Sequence, residues 1–581
     1  MNGISRRSFI QGAGIGALGV AGASFMGGCA PAKEAPASSN GADGTVEGES
    51  SWKTAPAAIA DAEINDTYDC DVLIIGLGHA GSCALRAAAE AGAVCYGMEV
   101  QEQDYWSYTG FQMGHINSNF LKSRGVPEVD PQELFNDWQL RSNNRSNPAL
   151  IMKYARNCGD TFDWLFDDLA EDDFAEFSVR CLQDGGPYMR EFNGMKSWVG
   201  TAVAGEGQLD AALHRCVEAA EKSGGKVLFG TKALYLLTDD NGAVVGAIGE
   251  SAEGHVRVNA AKGVIICTGG FGTNQDMCKD LLHEINDAMT DDEKVKNALD
   301  RDGSGIQMGY WAGGRLDPCM GTMDGAYWYS CDSPTDPLGA TAALWINAEG
   351  KRYCNEGFGS TELMAMPGAR QPKGMTVTVF DDKVEDLLKA QAFGHMGFDA
   401  TGGFDALRET LAKAAAGKEK GSAEEGGAKQ AEAGQNKAMG ASATVYAAND
   451  LPTLAAYLGY EGQAAERFVE SIERYNELCE KGVDEDFGKD ATLMKPVSTP
   501  PFYAYGGQNE VGVIMVTVAG LLIDENGSVL GQDYRPIKGL YAAGNASGGR
   551  FGWQYFTSIA GQSLTIAHTL GRLTGAYVAQ L

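Results

Sequence analysis

A glycine-rich turn near the start of the chain has the residue types and the spacing needed to bind a pyrophosphate. It follows a short apolar run, 70–75, precedes an alanine-rich segment, 82–91, and reads Gly76-Leu77-Gly78-His79-Ala80-Gly81. Gly76 permits the tight turn, Gly78 lets the backbone approach the phosphates, and Gly81 allows strand and helix to pack closely. The helix that follows then directs free N–H groups and its positive dipole end at the phosphates.

An acidic residue extends this motif. A second apolar run, 94–98, ends at Glu99, about twenty residues after Gly76, where such units bind a ribose hydroxyl. A GxGxxG alone is a weak signal, but a strand, a helix, a second strand and an acid in this order predict a dinucleotide site.

Three further glycine-rich segments accompany apolar runs. They are Gly263–Gly272, Asp302–Met308 and Gly539–Asn545. The first and third are typical of a buried strand that runs into a glycine turn, and the second of a turn that opens a helix. A helix is also predicted from about Gln562.

Together with Pro500–Tyr503, these motifs resemble those of the flavoprotein family of soluble fumarate reductases, urocanate reductases and 3-ketosteroid dehydrogenases. The resemblance covers most of the chain from Tyr68 to Leu581. It implies non-covalently bound FAD and an α/β fold, in which a Rossmann-like FAD-binding domain is interrupted by an α+β cap domain. The substrate is expected between the two domains.

The resemblance also implies which residues contact the cofactor. In chain order they are Gly76, Gly78, His79, Ala80, Gly81, Glu99, Gly114, Thr268, Gly269, Gly270, Asp302, Gly303, Gly544, Asn545, Ser558 and Ile559. Asn545 stands where many members of the family carry a Glu, which changes a hydrogen-bond partner but is not expected to abolish FAD binding.

Domain boundaries follow from the alignment of these motifs. The FAD-binding domain is predicted at 62–318 and 512–581, and the cap at 319–511. Within the cap, 417–442 is rich in Ala, Gly, Lys and Glu and lacks an apolar period. Such a segment is predicted to be a solvent-exposed insertion.

The cap contains a segment, 346–360, that is similar to the active-site pattern of fumarate reductases but departs from it. The family's proton-donating Arg falls on Ser360, and its substrate-binding His falls within 514–517, which contains no His. A small dicarboxylate needs cationic groups on both carboxylates, so fumarate is not the expected substrate. Ser360 and Glu356 are predicted to support protonation.

The turn at 544–555 is longer than in fumarate reductases and resembles that of 3-ketosteroid dehydrogenases in its spacing. Tyr555 is predicted to donate a hydrogen bond to a substrate ketone and so to stabilise an enolate; structural packing is the alternative. Arg550 is predicted to bind a carboxylate or to stabilise negative charge on the reduced flavin. The alternative for Arg550 is a surface residue or one paired with a local acid.

Composition excludes several classes of protein. With 581 residues, the chain is too long for one hydrophobic core. Its formal charge of −31 argues against a nucleic-acid partner, and favours either solubility outside the cytoplasm or an acidic face for a basic redox protein. The 13 cysteines include no C-x-x-C-H motif and no zinc or iron–sulfur spacing, so neither attached haem nor a metal site is predicted.

The first 29 residues resemble a twin-arginine (Tat) signal peptide, with Arg6-Arg7 before a weakly apolar run at 12–26. Met26–Cys29 resembles a lipobox in which Cys29 would carry the lipid; ordinary cleavage nearby is the alternative. A flexible linker is predicted at 30–61. The protein is therefore expected in the periplasm or on the outer face of the cell membrane, with membrane contact only through a lipid on Cys29.

The expected function is an FAD-dependent reductase of an activated carbon–carbon double bond in an enoate, an enone or a steroid-like molecule. The flavin N5 would supply the hydride, and a separate cytochrome or quinol-linked donor would supply the electrons. Two alternatives are a ketosteroid-type dehydrogenase that works in the oxidative direction and a non-catalytic lipoprotein that binds FAD and a ligand.

Overall fold

A computed structural model describes most of the protein between residues 51 and 581. The described ranges are 51–108, 110–169, 174–205, 207–283, 300–325, 341–358, 371–372, 376–393, 403–417, 445–509, 513–553 and 555–581. The predicted signal peptide with Cys29, the residue Ser360 and the segment 418–442 lie outside these ranges.

Strands and helices are interspersed along the described residues. In chain order the strands are β1 Ile64–Ile75, β2 Cys95–Met98, β3 Gln112–Gly114, β4 Ser178–Val179, β5 Met189–Phe192, β6 Met195–Trp198, β7 Thr201–Val203, β8 Lys226–Leu228, β9 Lys232–Thr238, β10 Val244–Ser251, β11 Gly254–Ile266, β12 Thr322–Gly325, β13 Leu344–Asn347, β14 Thr376–Phe380, β15 Val445–Ala448, β16 Phe502–Asn509, β17 Val513–Thr517, β18 Ser528–Leu530 and β19 Pro536–Ala542. The α-helices are α1 His79–Glu90, α2 Asn119–Ser123, α3 Pro131–Arg141, α4 Pro148–Leu165, α5 Gln208–Lys222, α6 Gln275–Leu281, α7 Ser304–Trp311, α8 Val384–Ala390, α9 Asp405–Gly417, α10 Leu451–Tyr457, α11 Gly462–Lys481 and α12 Gln562–Ala579.

The largest sheet has eight strands, six of them in the order β18-β19-β11-β1-β2-β8. The strands from β19 to β8 run parallel to one another, whereas β10 pairs antiparallel with both β11 and β9. Val72, Leu73 and Ile74 in β1 are fully buried, as expected for a parallel strand covered on both faces. The predicted Rossmann-like α/β class is confirmed.

Helices α1 and α12 cover one face of this sheet and pack closely against each other. A Cβ at Gly571 would lie 2.2 Å from the carbonyl oxygen of Ala80, and one at Gly575 would lie 2.2 Å from that of Ala84. Only small residues permit this separation, so the last helix of the chain is held directly against the helix of the first glycine motif.

A separate antiparallel sheet, in the order β13-β14-β16-β15, lies within the predicted cap range together with α8–α11. Strands β12 and β17 pair with each other as an antiparallel ribbon. This ribbon contains the two passages of the chain between the large sheet and the cap sheet. Smaller sheets, β3-β7-β4 and β5-β6, complete the described strands.

The described part of the predicted linker 30–61 includes one buried side chain, that of Trp52. Trp52 is buried, its ring centroid lies 5.1 Å from that of Tyr310, and its carbonyl oxygen accepts a 3.0 Å hydrogen bond from Trp311 Nε1. The chain is therefore anchored at Trp52, because a large aromatic side chain gains much by burial, whereas residues 53–58 are exposed. Among the described helices, none is long and apolar enough to cross a membrane.

Candidate active site

Three parallel strands of the large sheet end side by side. Ile75 at the end of β1 pairs with Ile266 of β11, and Ile266 pairs with Ala542 of β19. The turns that follow these strands therefore meet at one edge. In open α/β sheets, ligands bind outside the carboxyl ends of the strands, so this edge is the candidate cofactor site.

The first turn has the geometry that a pyrophosphate requires. Gly76 has a φ of 85°, and a Cβ at Gly81 would lie 1.9 Å from the carbonyl oxygen of Gly76. A Cβ at Gly78 would meet no heavy atom within 4 Å, so space is open at the start of α1. The N–H groups of His79 and Ala80 belong to the first helical turn, which has no intrahelical acceptors for them.

Glu99 lies where β2 ends and is buried. Its carboxylate accepts hydrogen bonds from the backbone N–H of Leu77, at 2.7 Å, and of Gln101, at 2.9 Å. These bonds orient the carboxylate beside the first glycine turn. The ribose contact of Glu99 stays a prediction.

The turn after β11 contains a buried polar atom that needs a partner. Within the described residues, Thr268 Oγ1 is buried and has no hydrogen-bond partner. A Cβ at Gly305 would lie 2.1 Å from this oxygen, so α7 presses the Thr268 side chain into place. Gly269 follows with a φ of 82°.

Asp302 and Gly303 lie at the start of α7. Gly303 is the N-cap residue, with a φ of 72°. Asp302 is exposed and its carboxylate accepts a 3.0 Å hydrogen bond from the N–H of Ser304. The carboxylate of Asp302 thus has a local capping role in the structure.

Gly114 and the segment before α12 pack tightly together. A Cβ at Gly114 would lie 2.2 Å from the carbonyl oxygen of Ala560. The hydroxyl of Ser558 donates to Asp137 at 2.6 Å, and the N–H of Ile559 donates to the Gln562 side chain at 3.1 Å. A cofactor atom that accepted a hydrogen bond from either group would have to displace the acceptor that the group has now.

The unpartnered Thr268 hydroxyl, the open space at Gly78 and the oriented carboxylate of Glu99 fit a dinucleotide cofactor. Residues 71–559 match the family described as FAD binding domain. The chain belongs to this family. FAD is its cofactor, as predicted, and the protein is an FAD-dependent oxidoreductase.

Similar proteins match this flavoprotein over most of their length. A vinyl phenol reductase of Lactiplantibacillus plantarum is 25% identical and aligns over 89% of this chain and 97% of its own. A urocanate reductase of Eggerthella lenta is 25% identical over 94% of this chain and 80% of its own. A digoxin reductase of Eggerthella lenta is 24% identical over 100% of this chain and 97% of its own.

Solved structures share the fold. The 3-ketosteroid-Δ4-(5α)-dehydrogenase of Rhodococcus jostii RHA1 superposes with a TM-score of 0.62 at 20% identity, covering 91% of this chain and 100% of its own. The 3-ketosteroid Δ1-dehydrogenase of Sterolibacterium denitrificans superposes with a TM-score of 0.59 at 15% identity, covering 88% and 99%. At this identity the likeness establishes the fold.

Arg550 is a fully buried cation in the glycine-rich turn after β19. Its guanidinium donates to Ser547 O at 3.1 Å, Asn545 Oδ1 at 3.1 Å and Val518 O at 3.0 Å. Within the described residues, none of its hydrogen bonds goes to a carboxylate. Burial lowers the pKa of Arg550 to about 10, against the opposing effect of nearby Asp317, so the side chain is charged at neutral pH. The surface alternative is thereby excluded.

Tyr555 is buried next to Arg550. The two interact electrostatically, the Tyr555 ring packs edge-on to Phe551 with 4.9 Å between ring centroids, and its N–H donates to Thr322 O at 3.0 Å. The structure therefore brings together the two residues that were predicted to act from the C-terminal turn.

Glu356 does not have the properties predicted for a residue that supports protonation. It is fully buried in the cap, with Arg352 at 2.8 Å and Lys489 at 3.2 Å. Burial alone would raise the pKa of Glu356, but the two cations outweigh it and lower the pKa. Arg352 and Lys489 therefore favour the ionised carboxylate, and the role of Glu356 in supporting protonation stays a prediction. The sequence could not reveal this, because Lys489 is distant in the chain.

Three histidines near the first glycine turn were not recognised as a group in the sequence. His79 Nδ1 lies 3.0 Å from His568 Nε2, and the fully buried His115 bonds to Met113 O and Ser118 Oγ. Burial lowers the pKa of His115 to about 4 and lowers that of His568 well below its usual value. Both are therefore neutral at pH 7.

Proposed function

We propose that this flavoprotein reduces an activated carbon–carbon double bond of a small molecule such as an enoate, an enone or a steroid-like ring. Relatives that match most of its length are reductases of vinyl phenol and of urocanate. Each of these compounds contains a carbon–carbon double bond conjugated to an aromatic ring. That common chemistry supports the proposal.

The observation that carries the proposal is the pair of Arg550 and Tyr555 beside the edge where FAD binds. A buried positive charge with only neutral hydrogen-bond acceptors stabilises negative charge that develops near it. A phenol at the same place can donate to a carbonyl oxygen. Both groups favour a reaction in which an enolate forms.

The residues of the glycine-rich turns would hold FAD, and the cofactor, once reduced by the separate electron donor, would supply the hydride that adds to the β-carbon of the double bond. Tyr555 donates its hydroxyl proton in a hydrogen bond to the substrate oxygen, and Arg550 stabilises the enolate by its charge. The surrounding apolar residues exclude water, so both interactions are stronger than in solution. The α-carbon then receives a proton from water or from a protein acid.

The proposal disfavours small dicarboxylates as substrates. Ser360 stands at the position of the family's proton-donating Arg, and the negative charge of Glu356 is compensated by Arg352 and Lys489 within the cap. An apolar substrate with a single activating carbonyl would require fewer cationic contacts than fumarate does.

The test uses the holoenzyme, reduced anaerobically with one equivalent of dithionite per flavin and then mixed with enoates, enones and ketosteroids. Reoxidation of the bleached flavin by one class of compound is expected, together with a product whose double bond is saturated. Loss of this reoxidation in Tyr555→Phe with FAD still bound would connect it to the proposed site.

Other outcomes would contradict the proposal. Bleaching of the oxidised flavin by a saturated ketosteroid, without reoxidation by any unsaturated compound, would instead establish a dehydrogenase. A flavin whose spectrum shifts with ligands but which no ligand oxidises or reduces would indicate a binding protein.

We also propose that the protein is exported by the Tat pathway, carries a lipid on Cys29 and receives electrons from a separate cytochrome or quinol-linked donor. Arg6-Arg7 and the segment Met26–Cys29 support this. Replacing both arginines by lysine should leave the flavoprotein in the cytoplasm, and Cys29→Ala should release the exported protein from the membrane. Unchanged localisation of either variant would contradict the corresponding part.

A further inference from the structure

A buried carboxylate connects two chain segments that are far apart in the sequence. Asp300 is 6% exposed and accepts hydrogen bonds from the N–H groups of Gly270, at 3.1 Å, and Gly272, at 2.7 Å. It also accepts from the N–H and the hydroxyl of Thr517, each at 2.7 Å. The same carboxylate therefore holds the turn after β11 and the end of β17.

Thr517 strengthens this connection by using its hydroxyl twice. The hydroxyl donates to Asp300 and accepts from the N–H of Phe271 at 2.9 Å. A Cβ at Gly270 would lie only 2.0 Å from Thr517 Oγ1, so the turn is pressed against this side chain. Asp300, Thr517 and the turn Gly270–Gly272 are called the Asp300 clamp below.

The clamp lies between the cofactor edge and the ribbon that leads to the cap. Its turn directly follows Thr268, whose Cα would lie 2.9 Å from a Cβ at Gly76. Its other half ends β17, on which the chain returns from the cap, and Thr322 of the paired strand β12 accepts a hydrogen bond from the N–H of Tyr555. The clamp thus connects the FAD edge to the strands on which the cap is mounted.

We propose that Asp300 is a positioning residue that fixes the glycine turn of the FAD site to the return strand of the cap. It acts through Thr517 and the turn and not by touching the cofactor. Without the clamp, several buried N–H donors would lack acceptors, and burying an unsatisfied donor is costly. The turn and β17 would then separate, and FAD would bind to a site that is ordered less often.

The test compares isosteric variants of the holoenzyme by the dissociation constant of FAD and by the visible circular dichroism of the bound flavin. Thr517→Val keeps the shape but removes the hydroxyl, and we expect FAD to bind about tenfold more weakly, the loss of one buried hydrogen bond or more. Thr517→Ser restores the hydroxyl and should bind FAD within about twofold of wild type.

Thr376→Val is the matched control. Thr376 is buried in β14 of the cap sheet, and within the described residues its Oγ1 has no hydrogen-bond partner, so the same chemical change there should leave FAD binding unchanged. Equal FAD affinity and equal flavin dichroism in Thr517→Val and Thr517→Ser would overturn the proposal. Neither readout depends on turnover, so the result is independent of the proposed reaction.

Hydrogen exchange of the wild-type protein supplies a second test that does not depend on the folding of a variant. With FAD bound, the amides of Gly270, Gly272 and Thr517 should be protected together. After FAD is removed, all three should exchange faster, because the turn and β17 share one carboxylate. Faster exchange of the turn amides with unchanged protection at Thr517 would show that the two segments are not coupled, and would overturn the proposal.

Discussion

Two arginines with buried side chains, Arg352 in the cap and Arg550 at the FAD edge, differ in how their positive charge is compensated. Arg352 forms hydrogen bonds with both carboxylate oxygens of Glu356, at 2.8 and 2.9 Å, and of Asp484, at 2.9 and 2.7 Å. Burial alone would lower the pKa of Arg352, but the two carboxylates outweigh it and raise the pKa. Among the described residues, Arg550 donates to neutral oxygens alone, and burial lowers its pKa to about 10.

This difference distinguishes an ion-pair network in the cap from a buried cation at the FAD edge whose charge is only partly compensated. In the cap, the positive charge is already compensated, so it has little influence on a reaction. At the FAD edge, the nearby Asp317 accepts hydrogen bonds from Gly549 N at 2.6 Å and Cys319 N at 2.9 Å and balances Arg550 only from a distance. In the proposed reaction, the uncompensated part of this charge would stabilise an enolate.

Removing Arg352 should have the largest effect on stability. Arg352→Met leaves Glu356 and Asp484 buried with fewer partners, and breaking a buried pair in this way costs about 3–5 kcal/mol. Urea unfolding of the holoenzyme measures the loss. Asp484→Asn in the same background should recover part of it, since one unpaired carboxylate is then removed. A stability equal to that of wild type in the single variant would mean that the network contributes nothing.

Removing Arg550 should lower turnover more than it lowers stability. Arg550→Met should lower kcat for the identified substrate by about 10²–10³, as expected when a group that stabilises transition-state charge is lost. The free energy of unfolding should fall less than in Arg352→Met, because the desolvation cost of the buried cation disappears and offsets part of the three lost hydrogen bonds. Arg550→Lys keeps the charge without the planar fork and should be intermediate. A kcat of Arg550→Met equal to that of wild type, with FAD bound, would show that Arg550 does not stabilise charge in the transition state.

Removing the Tyr555 hydroxyl should have a smaller effect on turnover than removing the charge. Tyr555→Phe preserves the edge-on packing against Phe551 and should lower kcat by about 10–100-fold for an enone, the loss of one hydrogen bond in the transition state. The KM of the enone should change less than kcat. The measurement is steady-state kinetics with a chemical reductant. A larger change in KM than in kcat would mean that Tyr555 binds the ground state.

Local sequence patterns predicted the parts of the fold that local physics decides. The run 70–75, the turn from Gly76 and the helix from Gln562 are all found, because apolar periodicity and glycine spacing are properties of neighbouring residues. The observed β1 starts earlier, at Ile64, because its first half pairs with β11 across the chain. The composition of 30–61 did not indicate that Trp52 is buried, because Trp52 packs on a helix distant in sequence.

In the candidate site, too, local sequence patterns do not reveal contacts between residues that are distant in the chain. Arg550 and Tyr555 belong to one turn, so their proximity could be predicted from sequence. Glu356 was assigned from a local motif, but Lys489 and Arg352 decide its protonation, and Lys489 reaches it only through tertiary folding. The four hydrogen bonds of Asp300 come from the turn after β11 and from β17, and no local pattern marks their partners.

A further expected effect is on the acid stability of the two regions. Burial lowers the pKa of His115 to about 4, below its ordinary value of about 6.5. The unfolded chain therefore takes up this proton first, and stability should fall as the pH drops from about 6.5 to about 4. The pKa of Asp484 is lowered to about 2: burial raises it, but Arg352 and backbone N–H groups outweigh burial. The stability from this carboxylate is present above about pH 4 and is lost only as the pH falls towards 2.

Acidification should consequently weaken the FAD-binding region before the cap network. Thermal unfolding of the holoenzyme between pH 7 and pH 3, followed by FAD fluorescence and by far-UV circular dichroism, measures the order. His115→Asn removes the titrating ring and should flatten the decline between about pH 6.5 and 4, whereas Asp484→Asn should leave that part of the profile unchanged. A decline of the same slope in both variants and in wild type would show that His115 does not link protonation to the stability of this region.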